Sequence, residues 1–209
     1  MPGLAQAIAS GGRSLQLVLE PAVLDGLAEF VRLLEKWNRV YNLTAVRDPL
    51  AMVKRHILDS LAVLPYLRGH SLLDVGTGAG LPGLPLAIVR PDLQVTLLDA
   101  NAKKMRFVRQ AVAELGLRNA EVAQARMQEY RPGRAFDMVI SRAVSSLDDL
   151  YHQSQHLLGA GGRMLFMKGA LPEQELMTFA PGRAALHNER LHIPGLDAER
   201  HLLWLDRQD

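Results

Sequence analysis

The residues best placed for chemistry lie in the segment Asp74-Val75-Gly76-Thr77-Gly78-Ala79-Gly80, followed by Leu81 and Pro82. A short apolar run, Leu72 to Val75, leads into this segment, and a helix can start at Pro82. Glycines in such a place let the backbone turn sharply and let a ligand approach the peptide groups. Asp99 follows 25 residues after Asp74, at the end of the next apolar run, Val95 to Leu98. A carboxylate at that point can accept both ribose hydroxyls of an adenosine. A strand before the loop, a helix after it and an acid at the end of the next strand together indicate a nucleoside site. A mere tight turn requires neither three alternating glycines nor Asp99.

The glycine register selects among nucleoside cofactors. Counted from Gly76, the dinucleotide pattern G-x-G-x-x-G needs a third glycine at 81, where leucine stands. Counted from Gly78 it finds Gly80 and Gly83, but that match falls inside the helix start, too late for the turn. Asp-x-Gly-x-Gly-x-Gly fits the register and resembles motif I of the class I methyltransferases, which implies S-adenosylmethionine as cofactor. Methyl transfer from a sulfonium is a direct displacement, so the protein's main task is alignment. Attack by a pyrimidine C5 requires a cysteine adduct, and the chain has no cysteine. Exocyclic base amines are usually met by an Asn/Asp-Pro-Pro-aromatic loop, whereas the fourth strand here ends in Ser141-Arg142-Ala143. A ring nitrogen, a sugar hydroxyl, a protein side chain and a small molecule remain. Guanine N7 is attractive because its lone pair is free and no general base is needed.

The elements that must position these residues are legible from periodicity. Leu24, Leu27, Val31 and Leu34 share one helical face, which Trp37 extends. Pro49 opens a second helix that runs to about Leu64 and stops at Pro65. Residues 1–19, with Gly11 and Gly12, read as loosely ordered, and residues 20–66 as a helical extension. From residue 67 onward strands alternate with helices: Leu72–Val75, Val95–Leu98, a helix over Ala102–Leu115 closed by Gly116, a weak strand at Ala120–Ala123, and Phe136–Ile140. Leu147–Leu158 reads as helical, and Gly159, Gly161 and Gly162 follow it. The last strand candidates are Arg163–Met167, Ala184–Ile193 and His201–Leu205, the final two separated by the Pro194-Gly195 turn. This order predicts an α/β, Rossmann-like domain over 67–209, its mostly parallel sheet carrying an antiparallel edge, and the motif I resemblance implies that this is an S-adenosylmethionine-binding methyltransferase domain.

Composition narrows the classes further. The chain has 209 residues, 48% of them hydrophobic, which suits one globular domain and an appendage. Basic and acidic residues number 24 and 22, so a nucleic-acid partner must be met by local clusters rather than a global field. Arginine supplies 19 of the basic residues, as codon bias or phosphate contact would each produce. The absence of cysteine excludes disulfides and thiolate metal sites and fits a reducing compartment. Met1 to Gly12 lacks the features of a signal peptide. Leu72 to Val89 contains Asp74, four glycines and two prolines, which argues against a transmembrane helix. No His/Asp/Glu set has metal-ligand spacing. A cytoplasmic protein without metal or membrane partner is expected.

A family resemblance covers residues 20 to 206. Leu34-Glu35-Lys36-Trp37-Asn38-Arg39-Val40-Tyr41-Asn42-Leu43-Thr44 is similar to the signature of the glucose-inhibited division protein B family, the small-subunit rRNA guanine-N7 methyltransferases. Arg55-His56-Ile57-Leu58-Asp59-Ser60, the loop Gly76 to Gly83, Ile140-Ser141-Arg142-Ala143 and Glu199-Arg200-His201 agree with it. The resemblance implies methylation of the guanosine at position 527 of 16S rRNA, in free RNA or a 30S precursor, by a chain expected to act as a monomer. It also implies that Gly76, Leu81, Met127, Gln128 and Arg142 line the cofactor site, beside the loop residues Asp74, Gly78 and Gly80 and the ribose acid Asp99. Met127 and Gln128 fit an adenine edge. Arg142 suits the cofactor carboxylate or an RNA phosphate, or a salt bridge to an acid such as Asp137. Lys103, Lys104, Arg106 and Arg109, on the helix after Asp99, are candidates for RNA phosphates or simply a solvated face. Lys168, ending the fifth strand, joins them. Trp37, Asn38, Tyr41 and Asn42 offer a base-stacking patch, although such a tryptophan is more often core. His56 and His201 are expected to be structural.

Overall fold

The computed structural model describes residues 3–142, 146–179 and 184–208. Its first element corrects the expectation for the N-terminus. Helix α1 spans Leu4–Ser14 and buries Ile8, Gly11 and Gly12. The two glycines, which suggest looseness in the sequence, are where the helix meets its neighbours. A Cβ on Gly11 would stand 2.3 Å from Leu58 Cδ1, and one on Gly12 would stand 3.3 Å from Leu19 Cδ1.

Helix α2, Pro21–Tyr41, starts with proline in its first turn and ends at Asn42, whose left-handed backbone (φ 49°) closes it. Leu27, Phe30, Val31 and Leu34 are fully buried on one face, each stabilising the fold by about 1.5–3 kcal/mol through removal of apolar surface from water. Trp37 continues that face onto Phe107, their ring centroids 5.7 Å apart. Helix α3, Pro49–Met52, is capped by Asp48, whose carboxylate accepts from the Ala51 amide at 2.6 Å. The sequence suggests an uninterrupted helix here. Instead the next stretch, Val53–Leu58, is wound as a π-helix before α4, Asp59–Leu61, resumes the α form. Such wide turns often occur at functional sites, and this one brings Asp59 to the cleft described below.

The sheet has seven strands: β1 Ser71–Val75, β2 Gln94–Leu98, β3 Ala120–Ala123, β4 Phe136–Arg142, β5 Leu158–Lys168, β6 Leu186–Arg190 and β7 His201–Asp206, in the order β3-β2-β1-β4-β5-β7-β6. The first five are parallel, and β7 runs antiparallel to both β5 and β6. Alternate residues of the inner strands enter two cores. Leu72, Leu97, Ile140, Leu165 and Leu202 pack under α1, α2, α5 (Gly83–Val89) and α6 (Ala102–Glu114). Leu73, Leu98, Val139, Phe166 and Leu203 pack on the other side with α7 (Leu147–Ser154) and α8 (Glu173–Thr178). The chain moves outward from β1 to β3, then crosses back to β4. That reversal opens a crevice beyond the carboxyl ends of β1 and β4, where ligands of open α/β sheets bind.

One boundary departs from the sequence expectation. Helix α7 stops at Ser154, a 3-10 turn covers Gln155–Leu157, and β5 begins at Leu158. The glycines that seem to punctuate the chain lie inside the strand. Gly161 takes φ 63°, and the β4–β5 register slips between Phe136 and Met138. This is a bulge that extended backbone accommodates through glycine.

Candidate functional site

The loop after β1 is held from beneath by Asp74. This side chain is fully buried, and its Oδ2 accepts from the Thr77 hydroxyl (2.6 Å) and the Gly83 amide (2.8 Å). Burial, opposed by those hydrogen bonds and by the Arg142 charge, pushes its carboxyl up to about 6. Its Oδ1 has no hydrogen-bond partner. Gly76, Gly78 and Gly80 all have positive φ (66°, 58° and 81°), so the loop can turn there at little steric cost.

Two adjoining clefts flank this loop. The first, of about 410 Å³, is lined by Val75, Gly76, Leu98, Asp99, Lys104, Met127, Gln128 and Gln153 among others. Asp99 accepts from the amides of Gly78 (2.9 Å) and Asn101 (2.8 Å), one on each oxygen. Each oxygen keeps a lone pair for a further donor. Met127–Glu129 forms a 3-10 turn along the same wall, and Gln128 donates to Gln153 at 2.5 Å. The second cleft, of about 400 Å³, is lined by residues that include Thr44, Asp59, Gly76, Gly78, Leu81, Lys104, Arg142, Lys168 and Arg200. Gly76 and Lys104 line both, which joins them into one elongated site. A Cβ on Gly78 would find only the Lys104 ammonium at 3.8 Å and a loop carbonyl at 3.9 Å, so the space over the loop is open.

This arrangement suits a nucleoside with a charged, non-phosphate tail. The Asp99 carboxylate, with lone pairs to spare, lies on one side of the loop, the glycine backbone and Lys104 lie where the two clefts join, and Arg142 stands on the other side. S-adenosylmethionine has parts to match. Among the described residues no group of three or more His, Cys, Asp or Glu could hold a metal ion.

The candidate residues divide accordingly. Gly76, Gly78, Leu81, Asp99, Met127, Gln128 and Arg142 line the joined site. Asp74 and Gly80 do not. Asp74 braces the loop from below, and Gly80 packs on Leu84, where a Cβ would stand 2.3 Å from Leu84 Cδ1. Of the basic candidates, Lys104 and Lys168 reach the cleft. Lys168 also pairs with Glu175 at 3.1 Å. Lys103, Arg106 and Arg109 are exposed on α6 outside it, and Arg109 donates to Gln124 at 3.3 Å. Ala143 of the fourth-strand motif lies outside the described residues.

Arg142 does form a salt bridge, but with Asp59 (3.3 Å) rather than Asp137. Asp137 instead accepts from the His70 and Ser71 amides at 2.7 and 2.9 Å, which ties the start of β1 to β4. Asp59, 2% exposed, holds a second arginine, Arg200, at 3.0 Å. Neither Asp59 nor Arg200 stands out as a site residue in the sequence, because they lie 141 positions apart and each alone resembles a surface charge. Their only signal is membership of two signature blocks.

The longest signature block serves mainly as scaffold. Asn38, 3% exposed, accepts from the Thr44 amide (2.9 Å) and donates to the Val46 carbonyl (3.1 Å), which pins the turn that carries Thr44 to the cleft. His56 sits behind Thr44, its Nε2 2.9 Å from the hydroxyl. Burial, and then the Arg142 charge, lower its pKa to about 4, so it is neutral at pH 7. Trp37 is packed against the core, while Tyr41 stacks on it (5.2 Å) with its outer side half-exposed.

The model of one family, described as rRNA small subunit methyltransferase G, matches residues 24–203. The chain belongs to that family. A ribosomal RNA small subunit methyltransferase G of Alkalilimnicola ehrlichii is 51% identical over 200 residues, 96% of this chain and 91% of the relative. Its counterpart in Methylobacillus flagellatus is 49% identical over 202 residues, 97% and 98% of the two chains. Among solved structures, an S-adenosylmethionine-dependent methyltransferase of Aquifex aeolicus superposes with a TM-score of 0.58 at 16% identity, covering 82% of this chain and 96% of that one. Aeropyrum pernix fibrillarin, solved with S-adenosylmethionine bound, gives 0.57 at 16% identity over 71% and 72%. These two likenesses concern the fold, a class I methyltransferase sheet with an antiparallel edge, as the strand pattern predicts. In this chain, the signature residues divide into a scaffold around Asn38 and a charged cleft around Asp59.

Proposed function

We propose that this member of the family transfers a methyl group from S-adenosylmethionine to N7 of a guanosine in 16S rRNA, the one at position 527, as a cytoplasmic monomer. The observation that carries this reading is the charge of the cleft. Among the described residues, four cations, Lys104, Arg142, Lys168 and Arg200, line the second cleft against one lining acid, Asp59, with Lys168 also paired to Glu175 from outside it, in a chain whose formal net charge is only +2. A low-dielectric crevice focuses such a field onto a polyanion, whereas a small neutral acceptor would need no such surplus.

When bound, S-adenosylmethionine supplies an electrophilic methyl group on its sulfonium. Asp99 would offer its free lone pairs to the ribose hydroxyls, the Met127–Glu129 turn would hold the adenine edge, and Arg142 would pair with the amino-acid end. Methylated N7 carries a positive charge and loses no proton, so the reaction is compatible with a cleft that has no poised base among the described residues. His56 is screened behind Thr44, and Asp59 is occupied by two guanidiniums. Among the described residues, no helix is long and apolar enough to cross a membrane.

The test uses purified protein, labelled S-adenosylmethionine and 16S rRNA lacking modifications, followed by mapping of N7-methylguanosine. Label at a single guanosine is the expected outcome, with 30S particles as the second substrate if naked RNA stays unlabelled. Label in neither, with the cofactor bound, would move the acceptor to a protein or a small molecule.

A further inference from the structure

Among the described residues, Asp59 is the one acid that lines the second cleft, and it is almost completely buried. Its two oxygens are divided between two arginines: Oδ1 accepts from Arg200 Nε at 3.0 Å, and Oδ2 from an Arg142 terminal nitrogen at 3.3 Å. Three distant parts of the chain meet here: α4 after the π-turn, the end of β4, and the segment just before β7. Each guanidinium is anchored by a second acceptor. The same Arg142 nitrogen reaches the Arg55 carbonyl at 3.3 Å, and an Arg200 terminal nitrogen reaches the Glu199 carbonyl at 2.7 Å. The side chains are only 24% and 22% exposed, and both line the cleft. A guanidinium has five N–H donors. These bonds use one nitrogen of Arg142 and two of Arg200, so each arginine keeps further donors in a fixed orientation. Two arginines on one carboxylate also leave the group with a surplus positive charge, which a bound anion would neutralise.

We propose that Asp59 is a positioning residue for RNA binding: it aims Arg200, beside the cofactor-side Arg142, so that the remaining donors of Arg200 take a phosphate oxygen of the acceptor strand. This rests on the reading of the protein as an rRNA methyltransferase. Phosphate matches the site because guanidinium donors grip its oxygens in a defined geometry and with charge assistance. The guanine itself fits less well, since arginine commonly donates to N7 and O6 together, and a donor on N7 would occupy the lone pair that must attack. The labour is divided. Asp99, the glycine loop and Arg142 face the cofactor, and Arg200, aimed by Asp59, faces the strand.

The experiment compares the full-length wild type with Arg200→Gln, Asp59→Asn and the double variant. Methylation of unmodified 16S rRNA, or of 30S particles if only these are substrates, is followed at several salt concentrations, with S-adenosylmethionine affinity measured separately. Arg200→Gln is expected to raise the KM for RNA about tenfold, to lower kcat less, and to reduce the log–log salt slope by about one phosphate's share. Asp59→Asn should raise the same KM. In its background Arg200→Gln should cost less than about threefold, because the guanidinium is already misplaced. Effects of the two substitutions that multiply fully would overturn the positioning role. An unchanged RNA KM and salt slope in Arg200→Gln would overturn the proposal even if Asp59→Asn did not fold. Absence of RNA methylation by the wild type would instead remove the functional reading on which it rests.

Discussion

At the scale of single residues, Asp74 and His56 are both buried and both carry shifted ionisation, in opposite senses. The Asp74 carboxyl is raised from 3.8 to about 6, chiefly by burial. The folded protein therefore binds this proton more tightly than the unfolded chain, and the stability it contributes on the acid side is lost as pH rises from about 4 through 6. The His56 imidazole is lowered from 6.5 to about 4, again chiefly by burial. Its contribution is present above about 6.5 and is lost as pH falls toward 4. The two windows overlap almost completely with opposite slopes, so in the wild type they offset one another between pH 4 and 6. Asp74→Asn should expose the histidine's slope, with the urea midpoint rising with pH across that range. His56→Gln should expose the aspartate's, with the midpoint falling. Urea denaturation at pH 4, 5 and 6 checks both. If the two variants keep the same slope as the wild type, the buried charges are not controlling stability in this window.

At the scale of elements, the helix after the glycine loop depends on a close approach that only glycine permits. A Cβ on Gly83 would stand 2.3 Å from Leu97 Cδ2 and 2.7 Å from Asp74 Oδ2. Leu97 is in the middle of β2 and is fully buried, so α5 would have to lift off the sheet. Gly83→Ala should destabilise the fold by about 1–3 kcal/mol and weaken S-adenosylmethionine binding about tenfold or more, as the loop loses its brace. Thermal unfolding and cofactor titration measure the two effects, and a variant with normal affinity would separate the loop from this contact. Residues 72–83 are also where the sequence is most informative, because strand period, positive-φ glycines and an acid at the next strand's end agree with one another. Elsewhere the same residue type misleads. Gly11 and Gly12 suggest disorder yet are the packing surface of α1. Gly159 and Gly161 suggest a turn yet sit in a bulged strand. The π-turn over Val53–Leu58 has no local signature in the sequence. Asp59 and Arg200 are hidden as well: a charged residue in one sequence does not announce the partner that folding brings to it.

At the scale of the whole molecule, the sequence divides naturally into a helical extension over 20–66 and a sheet domain from 67, but the buried side chains do not respect that line. Leu27, Phe30, Val31 and Leu34 of α2 belong to the same apolar cluster as Leu86 of α5, Phe107 of α6 and Leu165 of β5. Leu43, Thr44 and Asp59 from the extension line the cleft that Arg142 and Lys168 complete. A sheet domain without the extension would expose Phe107 and much of that cluster, and would lose Asp59 from beside its arginines. The chain is therefore expected to unfold as one unit, and its two tryptophans provide the means to observe this. Trp37 lies in the extension, packed on Phe107. Trp204 lies in β7, beside Tyr66 at 5.1 Å and His187 at 5.2 Å. In Trp37→Phe the fluorescence comes from Trp204 in β7, and in Trp204→Phe from Trp37 in α2. Far-ultraviolet circular dichroism on each variant supplies its own global midpoint, which corrects for any stability lost to the substitution. Coincidence of fluorescence and dichroism midpoints in both variants is the expected result for one cooperative unit. If fluorescence from Trp37 changed well below the dichroism midpoint, the extension would be a separately melting lid. The cleft would then lose Asp59 and Thr44 without the sheet unfolding, and acceptor binding would fail at denaturant concentrations that still allow the cofactor to bind.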